Sequence, residues 1–251
     1  MFNLQFTLDY VKHRLEAKNR HGVHSPFVYR LIDEVIYDFS LKDDYCELEA
    51  FRRALMHDER PIVVNDQEIS VKEFVKNKCK PVQASRLIYR LANYFSANQI
   101  IELGTSMGVD TAYLMKAVPQ AKIIVVDHHD DTVAITSKNL INSSAQSVQV
   151  LRRDQNHLLP IVNTEPQSLD FLLMNRSCRK EVSIKYLNQC LPLLKETSVV
   201  VVDAIYRDEE MKICWQQIKA HSQITVTIDL FQLGLAFVRP QQAEEHFKIR
   251  F

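Results

Sequence analysis

The sequence predicts an α/β fold built on a mostly parallel sheet, and three observations predict it. From residue 99 onward, short β-branched runs alternate with amphipathic segments, as repeated strand and helix units require. The run Val199-Val200-Val201-Val202 is apolar without interruption, which suits a strand covered on both faces. Two of the four glycines in 251 residues fall in one stretch, Ile100-Ile101-Glu102-Leu103-Gly104-Thr105-Ser106-Met107-Gly108. Glycine is usually about 7% of a chain, so a chain this poor in it should keep it where no side chain fits. That loop follows a strand, and ligands of open α/β sheets bind at such strand ends.

The elements follow in order. Residues 1–97 carry candidate helices over Phe6 to Lys18, Pro26 to Tyr37, Asp44 to Met56, Ser70 to Lys76 and Gln83 to Phe95, with few strand-like stretches. Ser25 before Pro26 is a good helix start, the hydroxyl capping free N–H groups and the proline filling the first turn. This part reads as a helical extension or cap on a ligand-binding domain spanning 98–251. There the expected strands are Gln99 to Leu103, Lys122 to Asp127, Val148 to Leu151, Leu169 to Met174, Val199 to Asp203, Ile224 to Ile228 and Leu235 to Val238. Helices are expected over Met107 to Val118, Thr132 to Ile141, Lys180 to Lys195 and Asp208 to Ala220. The connection Asp229 to Gly234 is too short for a parallel crossover, so the last two strands should pair antiparallel.

Composition narrows the function. With 31 basic and 31 acidic residues the formal net charge is zero, so no sizeable polycation drives nonspecific nucleic-acid or membrane binding. Cys46, Cys79, Cys178, Cys190 and Cys214 are widely spaced without a CxxC pair, which fits reduced thiols in a cytoplasmic protein. No signal-peptide pattern opens the chain, and no apolar run approaches the roughly 20 residues that span a bilayer.

The chemistry concentrates on strand ends. Gly104 permits a tight turn and close ligand approach, and N–H groups at the following helix start can bind polar ligand atoms. Glu102 would orient an amine or a water there, with Thr105, Ser106 and Gly108 completing the cradle. A steric turn is the alternative. Ser106 and Val109 stand where a G-x-G-x-x-G nicotinamide fingerprint needs glycine, and the P-loop spacing is absent. Asp127, ending the second strand, can accept hydrogen bonds from a ribose diol or cap the next helix. His128 and His129 follow it as candidates for the cofactor rim. Asp154 would meet an adenine amino group or sit solvated in its loop.

These motifs together resemble the class I S-adenosylmethionine-dependent methyltransferases over about residues 82–240. Glu102 to Gly108 looks like the loop for the methionine end of the cofactor, Asp127 like the ribose carboxylate, and Arg153-Asp154 like the adenine segment. The resemblance implies a Rossmann-like, seven-stranded sheet of order 3-2-1-4-5-7-6 with its last strand antiparallel. Within that superfamily, Leu169 to Asn175, Tyr186 to Leu194 and Val199 to Asp203 are similar to the small-molecule O-methyltransferases of the catechol and caffeoyl-coenzyme A type. Those enzymes imply an Asp at 175 and Asp-Asn or Asp-Asp at 203 and 204, where this chain has Asn175, Asp203 and Ala204. Ala204 offers no side-chain ligand, so the divalent-metal site is expected to be weakened or absent.

The resemblance implies S-adenosylmethionine as cofactor, a small-molecule methyl acceptor attacked at oxygen, and a homodimer. Asp203, Tyr206 and Arg207, after the fifth strand, are placed to face the acceptor pocket. Tyr206 would stack or hydrogen-bond, and Arg207 would orient an anionic group. His21-Gly22-Val23-His24-Ser25-Pro26 reads as a hinged lid bringing His24 over that pocket, or as a tight helix connection. It resembles a segment in a poorly characterised bacterial branch of these proteins. Two other functions compete: an inactive cofactor-binding scaffold whose N-terminal helices bind a macromolecule, and a nicotinamide-dependent oxidoreductase.

Overall fold

The computed structural model describes residues 4–141, 147–152, 168–175 and 180–251. The first of these run through α1 (Leu4–Glu16), α2 (Pro26–Leu31), one π-helical turn (Ile32–Ile36) and α3 (Tyr45–Leu55). A single helix over Pro26 to Tyr37 is therefore corrected. The Tyr37 N–H bonds to the Ile32 carbonyl, widening the turn. The Ser25 hydroxyl also makes no capping bond, so only the proline half of that start signal operates.

A hairpin follows, β1 (Pro61–Val64) and β2 (Gln67–Ser70), within the stretch expected to be mainly helical. Its turn is Asn65-Asp66, with φ of +51° and +61°. Two-residue hairpin turns of the I′ type require positive φ at both positions, and Asn and Asp tolerate it. Then come α4 (Val71–Lys78), capped by the Ser70 hydroxyl on the Glu73 N–H, and α5 (Val82–Tyr94).

The main sheet comprises β3 (Gln99–Leu103), β4 (Lys122–Asp127), β5 (Val148–Arg152), β6 (Leu169–Met174), β7 (Leu194–Asp203), β8 (Val226–Asp229), β9 (Leu233–Phe237) and β10 (Glu245–Lys248). Its helices are α6 (Val109–Ala117), α7 (Asp130–Ile141), α8 (Lys180–Cys190) and α9 (Glu209–Lys219). The order is β10-β8-β9-β7-β6-β3-β4-β5, eight strands rather than the seven expected. The added strand, β10, lies parallel to β8 at the edge, so the chain's final strand is not the antiparallel one. That role belongs to β9, antiparallel to both β7 and β8. Residues Glu245-His246-Phe247-Lys248 carry one strong apolar side chain among polar ones, a pattern an edge strand tolerates and a sequence reading passes over. At β7 the helix expected to reach Lys195 stops early, because Leu191-Pro192-Leu193 forms a short 3-10 turn and the strand starts at Leu194.

Alternating side chains feed two cores. Ile100, Val125, Phe171, Leu173, Val199 and Val201 pack beneath α2, α5 and α6, while Ile101, Leu103, Leu172, Val200 and Val202 meet α8 and α9. The N-terminal segment is thus tied to the sheet, with Val28, Leu31 and Leu87 in its first core. A third core joins the hairpin, α3 and α4 to Met107, Val109 and Tyr113 beside the Gly104 loop. On the other face Trp215 of α9 lies so close to Gly234 that an added Cβ would meet its ring at 2.7 Å.

Candidate functional site

Main-chain bonds running past the strand ends fix the site's floor. The Gly104 N–H bonds to the Val126 carbonyl (2.7 Å), Asn175 to Leu103 (2.9 Å) and Ala204 to Gln232 (2.7 Å), so the residues after β3, β6 and β7 sit side by side. The backbone here occupies unusual conformations. Gly104 and Gly108 have φ of +74° and +84°, and Met107, Ala204 and Phe231 have φ of +60°, +57° and +68°. Non-glycine residues in that region cluster at functional sites because the surrounding structure has to hold them there.

Glu102, at the end of β3, is fully buried. Its Oε2 accepts from the Thr111 hydroxyl (2.7 Å) and its Oε1 from the Asn175 amide (2.8 Å). Burial and the Asp110 carboxylate raise its pKa, Thr111, Lys80 and Asn175 oppose them, and the balance leaves it at about 8. The Asn175 amide also donates to the Gly104 carbonyl at 2.7 Å. Two acceptors, one of them a carboxyl oxygen, therefore converge on one nitrogen.

The residue that organises this cluster has no sequence motif. Lys80, between α4 and α5, is buried, and its Nζ donates to Asn175 Oδ1 (2.6 Å) and Asp110 Oδ2 (2.7 Å), with Asp203 Oδ2 at 3.7 Å. Burial disfavours its ammonium, but Asp110 and Asp203 outweigh that and hold its pKa above the usual lysine value. Asp110 is fixed by the Ser85 hydroxyl (3.0 Å), and its N–H reaches the Ser106 hydroxyl (2.8 Å). Lys80 lies 30, 95 and 123 positions from Asp110, Asn175 and Asp203, so no local pattern announces it.

These contacts test the metal. Asn175 Oδ1 and Asp203 both face the Lys80 ammonium, and Ala204 has no side-chain donor atom, so these residues do not fit a divalent cation. A second group, Asp127, His128 and His129, brings three potential ligand atoms within 4.8 Å of one another. It is incomplete: His129 places Nδ1 3.2 Å from Asp127 Oδ1 and Nε2 3.1 Å from Asn65 Oδ1.

Asp127 ends β4 as expected and is buried. Its Oδ1 accepts from the N–H groups of His128 (2.7 Å) and His129 (3.0 Å), and its Oδ2 from that of Thr105 (2.8 Å). Burial raises its pKa, and the bonds from His129 and Thr105 more than reverse the effect. A carboxylate oxygen offers two lone pairs, so Oδ2 retains one for a ligand hydroxyl. Thr105 Oγ1 and Thr136 Oγ1 share a hydrogen bond (2.7 Å), which pins the loop to α7.

Of the other expected site residues, Tyr206 turns towards β8, where its hydroxyl donates to Asp229 Oδ2 (2.7 Å). The Arg207 Nε reaches the neighbouring Asp208 at 2.5 Å. His24 is exposed in a separate concavity of about 390 Å³ lined by Pro26, Tyr29, Arg30, Asp33 and Glu34, and is not brought to the cluster. Asp154 lies outside the described residues.

Residues 101–205 match a family model described as a methyltransferase domain. No curated protein matches the chain by sequence. Among solved structures it resembles an O-methyltransferase from Bacillus cereus in complex with SAH, at 15% identity and TM-score 0.59, over 81% of this chain and 94% of that one. Cofactor-bound Rv0187 from MTB shares 18% identity at TM-score 0.57, over 86% and 98% of the two chains. TomG, an O-methyltransferase from Streptomyces achromogenes involved in tomaymycin synthesis and solved with SAM, shares 15% at TM-score 0.57, over 88% and 99%.

Proposed function

We propose that this chain, an S-adenosylmethionine-dependent class I methyltransferase by its fold and by the domain matched over residues 101–205, methylates a small molecule at oxygen without a divalent metal. The observation that carries the reading is the convergence of Glu102 Oε1 and the Gly104 carbonyl on one N–H donor beneath a glycine-bounded loop. The Asn175 amide occupies that pair, and the Gly104 carbonyl keeps a second lone pair for a ligand ammonium. Asp127 Oδ2 would take a ribose hydroxyl, Thr105, Ser106 and Gly108 would line the cradle, His128 would stand at its rim, and Asp154 would meet the adenine. When bound, the cofactor supplies an electrophilic methyl group on a cationic sulfur.

The chain's own residues would do the rest. Lys80 supplies a fixed positive charge beside Asn175 and Asp203, where metal-dependent relatives are expected to hold their ion. A cationic group facing the acceptor oxygen favours its ionised form, one service a metal performs. Asp203 orients that ammonium, and Tyr206 and Arg207 would shape the acceptor side. The place of His24 in catalysis has no support from its position.

Among the described residues no helix is long and apolar enough to cross a membrane, and the wide spacing of the cysteines without a CxxC pair supports a reducing, cytoplasmic setting. The exposed stripe Leu4, Leu8, Val11 and Leu15 on α1 supports a homodimer, since its 4-3-4 spacing is that of a helix-pairing seam. Calorimetry with S-adenosylmethionine and S-adenosylhomocysteine tests the function. Micromolar binding is expected, and a folded sample that binds neither at millimolar concentration overturns it.

A further inference from the structure

The β1–β2 hairpin is fastened at its base and again towards its tip, and the second fastening reaches the cofactor side of the sheet. At the base, main-chain bonds run from the Val71 N–H to the Arg60 carbonyl (3.0 Å) and from the Lys72 N–H to the Asp58 carbonyl (2.8 Å). Towards the tip, the Val63 N–H donates to Asp131 Oδ2 (2.6 Å) in the first turn of α7. In the turn itself, the Asn65 side chain meets His129 Nε2 at 3.1 Å. Ile62 and Val64, the inward residues of β1, belong to the third core with Met107 of the Gly104 loop, and Ile135 of α7 packs against it. β4, which ends at Asp127, pairs with β3, the strand that leads into that loop. The hairpin therefore stands against the same rim as the cradle.

His129 connects the turn to the proposed ribose carboxylate. Its other ring nitrogen, Nδ1, lies 3.2 Å from Asp127 Oδ1, so one imidazole spans from Asp127 to the hairpin. An ionised carboxylate only accepts, which puts a hydrogen on Nδ1. Nε2 is then a lone pair in the neutral ring and a donor in the imidazolium. An asparagine amide serves both, offering its N–H to the lone pair or its oxygen to the donor according to which way it is turned. The bridge needs no particular protonation state. Asparagine also tolerates the φ of +51° at this position, so one residue shapes the turn and reaches His129.

The bridge bears on how Asp127 is held. Oδ1 takes the main-chain N–H groups of His128 and His129 and the His129 ring, while Oδ2 takes the Thr105 N–H and keeps a lone pair. Among these four donors only the His129 ring belongs to a side chain, and the hairpin holds its far end. The neighbouring ring is placed differently. The His128 side chain is 27% exposed against 13% for His129, and its Nδ1 lies 3.6 Å from Asp127 Oδ1, too far for a hydrogen bond. A ligand that approaches Asp127 displaces His128, the more exposed ring, and leaves His129 in its bridge.

We propose that Asn65, acting through His129, is a positioning residue of the cofactor site. The hairpin turn holds the imidazole, the imidazole holds the carboxylate, and the remaining Oδ2 lone pair is aimed at a ribose hydroxyl before the cofactor arrives. The inference rests on the methyltransferase reading and on the ribose role given there to Asp127. Preorganisation of this kind shows as affinity, because a carboxylate already oriented loses less freedom on binding. It acts only on ligands that carry the hydroxyls.

The experiment uses the full-length protein, its Asn65→Gly and His129→Phe variants and the double variant. Calorimetry follows the binding of S-adenosylhomocysteine and of an analogue lacking both ribose hydroxyls. Glycine suits a type I′ turn, so Asn65→Gly deletes the side chain and keeps the hairpin. Its melting temperature should stay within about 2 °C of wild type. Phenylalanine keeps a ring beside His128, whose centroid lies 3.7 Å from that of His129, and removes both bonds. Asn65→Gly should bind S-adenosylhomocysteine about 2- to 12-fold more weakly, the range of one net hydrogen bond. His129→Phe should bind at least as weakly, and the double variant no more weakly than His129→Phe, since both changes break one bridge. The analogue should bind wild type and Asn65→Gly alike, a readout that a merely structural role would not produce. Three results overturn the inference: an Asn65→Gly protein that binds S-adenosylhomocysteine as tightly as wild type or more tightly, additive losses in the double variant, or an equal loss for the analogue. A wild type that binds both ligands equally overturns it as well, by removing the ribose role of Asp127. A folded wild type that binds neither S-adenosylmethionine nor S-adenosylhomocysteine overturns the reading beneath it instead.

Discussion

Replacing Lys80 by methionine keeps most of the side-chain volume and deletes one buried charge, so the result isolates the ion cluster. At an effective dielectric constant of about 20, the contacts at 2.7 Å to Asp110 and 3.7 Å to Asp203 are worth on the order of 6 and 4 kcal/mol before desolvation. The measured loss should be smaller, because the lysine's own desolvation is removed and the stranded carboxylates take up protons. Breaking a buried pair from one side commonly costs about 3–5 kcal/mol, and at about 2–4 °C per kcal/mol in a chain of this size the melting temperature should fall by roughly 6–20 °C. The sign with pH follows. With Lys80 held above its ordinary pKa, the wild-type contribution is complete below the unfolded value of 10.5 and is lost as pH rises through the higher folded one. In the variant, stranded carboxylates are neutralised by acid, so the difference between the proteins should shrink from pH 8 to pH 5. If the ammonium occupies the place of a metal, the variant also gains a cation site in Asp110, Asn175 and Asp203. Magnesium or manganese at 100 times its Kd should then restore about 2.7 kcal/mol while leaving the wild type unchanged. Scanning calorimetry at three pH values, with and without the metal, reads all of this. A variant within about 1 kcal/mol of wild type at pH 8 would refute the cluster's energetic role, and equal metal responses would refute the substitution of lysine for metal.

Two further outcomes follow from the same geometry. Glu102 has its pKa raised by burial from 4.5 to about 8, so the folded state binds more protons than the unfolded chain between those values and wild-type stability should fall as pH rises through the window. Glu102→Gln should flatten that dependence in urea titrations, and a wild-type slope of opposite sign would contradict the assignment. Gly234→Ala puts a methyl group 2.7 Å from the buried Trp215 ring, and overpacking of this kind costs about 1–3 kcal/mol, readable as a lowered urea midpoint with unchanged m-value.

Strands were legible where burial is two-sided. Val199 to Val202 and Ile123 to Val126 are apolar because helices cover both faces, and no other element tolerates that pattern so well. The hairpin at 61–70 was written in the alternation of Ile62 and Val64 and in Asn65-Asp66, but an isolated pair with a half-polar second strand gives a weak signal. β10 was weaker still, since an edge strand needs little apolar character. The glycine loop and Asp127 were visible because backbone conformation and a strand end demand particular residues. Lys80 was not. Its three partners come from α6 and the ends of β6 and β7, and a lysine before a proline looks the same whether it is solvated or buried. The buried pair of His13 and Asp229 had one cue, the histidine's place seven after Phe6 and three after Tyr10, which puts all three on one helix face. A histidine on an aromatic face gives no hint of an aspartate 216 positions away.

Ala204 joins the Lys80 cluster to the pair of His13 and Asp229. Its φ of +57° lies in the left-handed region, where asparagine and aspartate are several-fold enriched and alanine has no compensating bond. Ala204 therefore holds this conformation without the local side-chain bond that asparagine or aspartate would bring. Such a conformation persists only when neighbours impose it. Here they do: the Ala204 N–H is held by the Gln232 carbonyl, the Arg207 N–H closes back on the Ala204 carbonyl (2.9 Å), and Tyr206 is fastened to Asp229. The same fastenings aim Asp203 at Lys80 and Asp229 at His13. The loop holds the buried Lys80 ammonium 3.7 Å from Asp203 on one side and the buried His13 ring 3.0 Å from Asp229 on the other, and two strand spacings of about 10 Å keep them as separate charged clusters.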